Sequence, residues 1–226
     1  MDQFLTDADV RVLGALIEKQ VTTPDNYPLS LNALVAACNQ SSNRHPVVAF
    51  DEETVLAAIQ RLRRASLVRG IQRIDSRVTK YEHLTTDVLD VTSNELGILC
   101  VLMLRGPNTV GELRTRSERL AKFDSLAEVE TTLTDLMERE KNALVVRLPR
   151  KAGQKEVRFA HLLSGDVAAE SNETFQSPMP ATTQPMPGTT QPMDGRVAAL
   201  EQIIAELQSE VGDLRQQLAE FRKQFE

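Results

Sequence analysis

The stretch Phe50–Leu84, FDEETVLAAIQRLRRASLVRGIQRIDSRVTKYEHL, returns in outline further along this chain, and that duplication restricts the fold more than any other feature. In the first copy Asp51 stands where a helix N-cap is expected. Glu52 and Glu53 follow in the first turn, where acids suit the positive helix end. Val55, Ile59 and Leu62, with Ala58 alongside, recur at helical spacing and give one apolar face. After Arg64 the pattern predicts a strand over Leu67–Ile74, a polar turn at Asp75 and Ser76, and a second strand over Arg77–Leu84. A helix feeding a two-stranded antiparallel ribbon is the second half of a winged helix. In the second copy Phe50-Asp51 returns as Phe123-Asp124, the helix as Ser125–Glu140, and Leu67-Val68 as Leu144-Val145. The closing KYEHL of 80–84 returns as RFAHL at 158–162, 78 positions on.

The front halves match as well. Thr6 to Asp9 and Thr92 to Glu95 both read as hydroxyl-x-x-acid capping patterns before an apolar helix. Two copies exclude a solenoid, which needs about three. The predicted fold is therefore mainly α with small β-wings, an α+β class: two tandem winged-helix domains over 1–86 and 87–165. A linker at 166–195 and a C-terminal coiled-coil helix at 196–226 complete the chain.

In the first repeat, helix one is predicted over Thr6–Gln20 with a core stripe of Val10, Leu13, Leu16 and Ile17. VTTPDNYPL (21–29), with two prolines and an Asn, reads as a loop with room for a short strand. Ser30 opens helix two, with Leu31, Leu34, Val35 and Cys38 facing inward. Asn39–Phe50 is longer than the turn of a plain helix-turn-helix, and long structured loops tend to be functional. Asn39, Gln40, Asn43, Arg44 and His45 are the candidates there. In the second repeat Thr92–Arg105 is helix one and Gly106-Pro107-Asn108 the break. Thr109-x-x-Glu112 opens helix two and Ser125-x-x-Glu128 helix three, whose inner face is Leu126, Val129, Leu133 and Leu136. A ribbon over 144–148 and 156–162 has a basic tip at 149–155.

The net charge of −6 is uneven. Residues 1–86 carry 10 Lys/Arg and 10 Asp/Glu, residues 87–165 carry 12 of each, and residues 166–226 carry 4 and 10. The acidity belongs to the tail and does not oppose nucleic-acid binding by the neutral repeats. Cys38 and Cys100 lie in apolar helical runs and read as buried reduced thiols, which suits a cytoplasmic protein. The N-terminus has no basic, apolar leader pattern, and no apolar run is long enough to span a bilayer, so no membrane association is expected.

No phosphate-loop, dinucleotide-loop, metalloprotease or nucleophile-elbow motif occurs, and the three histidines are isolated in sequence, so neither a catalytic site, a cofactor nor a metal is expected. Double-stranded DNA is the first partner a winged helix suggests. Arg61, Arg63, Arg64, Arg69, Arg73, Arg77 and Lys80 stand against Asp75 alone at the end of helix three and on the wing, where phosphate contacts would fall. Arg147, Arg150, Lys151, Lys155 and Arg158 do the same for the second wing. From these, Arg44, Arg61, Arg64, Arg73, Arg77, Lys80, Arg150, Lys151 and Lys155 are the nucleic-acid-binding candidates. Against DNA, the N-terminal half of a recognition helix should meet base edges, and here it is acidic. The exposed face of the second third helix (Ala127, Thr131, Thr134, Asp135, Glu138) lacks any cation. The reading favoured by the sequence is a DNA-associated protein, such as a transcriptional regulator or nucleoid-associated factor, acting through the basic wings and the loop between helices two and three. The alternative is a protein-interaction adaptor built from winged helices that does not bind DNA.

TTQPM occurs at 182–186 and 189–193 in a Pro/Thr/Gln/Met-rich linker expected to be disordered. Beyond it, Val197, Ile204, Val211, Leu218 and Phe225 alternate with Leu200, Leu207, Leu214 and Phe221 as a and d positions of a heptad repeat. β-Branched residues at a with Leu at d favour a parallel dimer, so a homodimer through this tail is expected.

Several blocks resemble the bacterial YceH-like family: EKQVTTPDNYPLS (18–30), ACNQSSNRHPV (37–47) and RVTKYE (77–82), then LRGPNTVGELRTRSERL (104–120) and VVRLPR (145–150). The resemblance covers most of residues 5–165. It implies the tandem winged-helix fold and brings no activity, ligand or catalytic residue with it. Its dense blocks draw interest to Asn39, Gln40, Asn43 and Arg44.

Overall fold

The computed structural model describes residues 4–72, 78–140, 142–150 and 156–165. Thr6 caps the first helix, α1 (Asp7–Thr22): its hydroxyl accepts from the Asp9 amide, and the Asp9 carboxylate accepts from the Thr6 amide at 2.9 Å. Both of the otherwise orphaned donors are thus satisfied. The prolines and Asn of the following segment make a single 3₁₀ turn at Pro24–Asn26, and the two-residue strand β1 (Leu29–Ser30) follows. Ser30 caps α2 (Leu31–Cys38), and Asp51 caps α3 (Glu52–Arg64), accepting from the Thr54 amide at 2.8 Å. Strands β2 (Val68–Ile71) and β3 (Lys80–His83) close the half as an antiparallel sheet of order β1-β3-β2.

A short helix that the periodicity did not announce, α4 (Thr85–Leu89), joins the halves and contains the expected 86/87 boundary. The second half then repeats the order with α5 (Ser93–Arg105), α6 (Val110–Ser117), α7 (Leu126–Met137), β4 (Val145–Arg147) and β5 (Phe159–His161). Capping boxes close the starts of α5 (Thr92 with Glu95) and α6 (Thr109 with Glu112). The α7 cap differs. Ser125 accepts from the Glu128 amide, while the Glu128 carboxylate reaches past it to the Asp124 amide.

Register carries the duplication down to single residues. Val68 pairs with His83 and Gly70 with Tyr81; in the second ribbon Val145 pairs with His161 and Arg147 with Phe159. Tyr81 also pairs with Leu29 of β1, and its counterpart Phe159 forms a bridge with Asn108. The strands are shorter than the sequence pattern proposed. The molecule is mainly α with small antiparallel sheets.

One hydrophobic cluster runs through both halves. Its centre is the packing of α1 on α5, and every residue from Asp9 to Glu18 and from Glu95 to Leu104 is buried. A helix enclosed on all sides needs either apolar residues all round or partners for its polar ones. The LGILCVLML run of α5 takes the first course, and Asp9, Arg11 and Glu18 of α1 take the second. Gly14 sits where the helices touch: a Cβ there would lie 2.9 Å from Leu104 Cδ2 and 3.3 Å from Met103 Cβ. The Cys100 thiol lies 3.4 Å from the Gly14 carbonyl, and both cysteines are free and buried. Burial pushes the Cys38 thiol up to about 12 and the Cys100 thiol further still. The N-terminal segment reaches the far end of the second half, where the Leu5 amide donates to the Leu163 carbonyl at 2.9 Å.

Candidate functional site

The long loop between α2 and α3 is held by side chains that the sequence offered as binding candidates. Asn39 clamps its ends: Nδ2 donates to the Phe50 carbonyl at 2.7 Å and Oδ1 accepts from the Phe50 amide at 2.8 Å. Arg44 corrects the expectation of a nucleic-acid contact. Its side chain is 0% exposed and forms a two-pronged pair with Glu18, Nη2 to Oε2 at 2.6 Å and Nη1 to Oε1 at 3.1 Å. It also donates to the Ala37 carbonyl and to Gln40 Oε1. A guanidinium so enclosed cannot reach a phosphate; it braces the loop against α1. Arg11, unremarked in sequence, completes the brace from α1 by donating to the carbonyls of Cys38 and Pro46. Asn43 takes a left-handed conformation (φ 59°), which asparagine tolerates better than most residues. His45 is exposed, and its backbone amide donates to the Leu104 carbonyl at 2.9 Å, docking the loop on the end of α5.

The basic residues of α3 and of the two ribbons divide into paired and unpaired groups. Arg61 is exposed, and its guanidinium lies 2.9 Å from the buried Asp9 carboxylate at the start of α1. Arg69 pairs with Glu82 across the β2–β3 register, and Arg158 with Glu112 at 3.0 Å. Arg64, Lys80 and Arg150 are exposed and make no ion pair among the described residues. Arg73, Arg77, Lys151 and Lys155 lie outside the described residues, as do the linker and the seam residues Val197, Leu200, Ile204, Leu207, Val211, Leu214, Leu218 and Phe221. On α3 the exposed residues of the first two turns are Glu52, Glu53 and Leu56, with Arg63 and Arg64 at the far end. On α7 they are Leu126, Ala127, Glu130, Thr131, Thr134 and Asp135, with no cation.

The matching histidines serve the fold. His83 Nε2 lies 2.6 Å from Gln20 Oε1, an acceptor, while Nδ1 accepts from the Thr85 amide, so the ring is the neutral Nε2–H tautomer. Burial pushes His83 and His161 down to about 4, in keeping with neutral rings. The Tyr27 hydroxyl accepts from the His83 amide at 2.8 Å, tying the 3₁₀ segment to β3.

The residues that sequence reasoning did not assemble line a cleft of about 490 Å³ between the α2–α3 loop and the second half. Arg105 comes from the end of α5, Arg116 and Glu112 from α6, Arg158 from the approach to β5, and Asn43, Arg44 and His45 from the loop. Arg105 donates to Asn43 Oδ1, and Arg116 to Asn108 Oδ1. Burial lowers Arg105 from the usual arginine value, and the neighbouring Arg116 and Arg44 lower it further, with Glu18 opposing them. The available signal was the pair of resemblant blocks at 37–47 and 104–120, which supply all but Arg158 of this lining. Nothing in a linear sequence said that the two blocks meet.

A family model described as "Protein of unknown function, DUF480" matches residues 5–154. Among curated relatives, a UPF0502 protein of Pelobacter propionicus is 50% identical over 183 residues, covering 80% of this chain and 83% of its own. One from Opitutus terrae is 48% identical over 176 residues (78% and 76%), and one from Solibacter usitatus 54% identical over 167 (74% and 79%). Identity at this level over about three quarters of the chain follows from shared descent. This chain belongs to the DUF480, or UPF0502, family of bacterial proteins.

Proposed function

We propose that this chain is a non-enzymatic docking protein, two winged-helix halves fused through α1 and α5, whose partner is another protein and not the base edges of a duplex. The observation that carries this reading is the outer face of the third helices. That of α7 holds Glu130 and Asp135 and no cation, and that of α3 begins with Glu52 and Glu53. Acidic faces are repelled by phosphate, whereas a reading helix lays its N-terminal residues into the major groove. The enclosure of Arg44 against Glu18 supports it further, because that guanidinium has no exposed surface left for a phosphate. The two free, buried cysteines suit a cytoplasmic setting, and among the described residues no helix is long and apolar enough to cross a membrane. The heptad seam of the tail would make the docking unit a homodimer.

A second reading has its own support. Arg64, Lys80 and Arg150 are exposed without ion pairs among the described residues, so the wings could grip duplex phosphates without base readout. A gel-shift salt titration separates the two. Docking on protein predicts no retained duplex even at low salt. Phosphate binding predicts retention that falls steeply as salt rises and is weakened by Arg64→Ala with Lys80→Ala.

A further inference from the structure

The cleft between the α2–α3 loop and the second half carries more positive charge than its own carboxylates neutralise. Among the described residues three guanidiniums line it, those of Arg105, Arg116 and Arg158, while Arg44 beside them has its side chain fully enclosed against Glu18. One carboxylate answers them: Glu112 is shared by Arg116 at 3.4 Å and Arg158 at 3.0 Å. Arg105 is left with an amide oxygen, Asn43 Oδ1, as its hydrogen-bond partner. Exposed His45 stands at the loop side of the same cleft.

Like charges are held together here by the fold, from three separate elements, and that arrangement is costly unless a countercharge shares it. The guanidinium fork is shaped for oxyanions, and planar two-point recognition of phosphate is its commonest use. We propose that this cleft binds a small phosphorylated molecule, its phosphate seated among Arg105, Arg116 and Arg158. The uncompensated charge of about two matches a phosphate dianion better than a single carboxylate. A volume of about 490 Å³ exceeds what a bare phosphate fills and falls within the range of small-molecule sites. Among the described residues the lining carries no Phe, Tyr or Trp, and so no stacking platform for a base. A polar body, as in a sugar phosphate, suits it better than a nucleotide. The ligand would touch the loop of the first half and helices of the second together, and so would favour one arrangement of the two. None of these residues lies on the outer faces of α3 or α7, so the docking proposal and this one can fail separately.

The test is titration calorimetry of the full-length protein with ribose 5-phosphate, inorganic phosphate and a short DNA duplex. Saturable binding of the sugar phosphate at one per chain is expected. It should weaken about tenfold or more in Arg105→Gln and less in Arg105→Lys, which keeps the charge but not the fork. The His45 ring resonances of the unmodified protein should shift on adding ribose 5-phosphate, a readout that needs no variant to fold. No saturable binding of either small phosphate, or equal binding by a folded Arg105→Gln, overturns the proposal. So does a duplex that binds through Arg105 while ribose 5-phosphate does not, since the cleft would then be a backbone-phosphate contact.

Discussion

Arg44 shows how a single charge changes meaning on folding. In sequence it stands beside a histidine in a polar loop, the setting of a phosphate contact; in the fold its N–H groups donate to Glu18 and to backbone carbonyls. Removing one partner of a buried pair strands the other, and Glu18 is only 8% exposed. Arg44→Ala should therefore lose about 3–5 kcal/mol of stability, read by urea unfolding at neutral pH. A loss under about 1 kcal/mol would mean that Glu18 finds water or Lys19 instead, which is the behaviour of a surface pair. Asn39 was legible in part: asparagine in a loop commonly satisfies backbone groups, and here it holds both the amide and the carbonyl of Phe50. Its partner, eleven residues on, could not be read from local pattern.

At the scale of elements, helix starts were the most legible part of the chain. Thr6, Ser30, Asp51, Thr92, Thr109 and Ser125 all cap helices, because a cap needs only a short side chain and the amides within the next three residues. The ribbons were legible in kind and overlong in extent, since β-propensity does not say where a partner strand stops. What α1 faces on its second side was not legible at all. Its stripe of Val10, Leu13, Leu16 and Ile17 accounts for one face, while Gly14 opens the approach to Leu104 and Met103 of α5. Gly14→Val should force those side chains aside and cost about 1–3 kcal/mol, seen as a lower midpoint in thermal unfolding. An unchanged or higher midpoint would show that α1 and α5 can separate slightly at no loss, and that their close contact is incidental.

For the whole molecule, the tail from 166 onward carries the acidity and the heptad seam, and the association state should depend on it. A chain ended at Ala168 should sediment as a monomer while the full chain sediments as a dimer; equal masses would reject the seam as the dimer contact. Local spacing determined the elements, their doubling and their caps, because each depends on residues within a few positions of one another. Tertiary structure alone decided which arginines are engaged, that α1 is enclosed by α5, and that the loop at 39–50 meets α6 across a positively charged cleft. Charge and burial act through space between residues far apart in the chain, as Arg44 and Arg61 show by finding their carboxylates on α1.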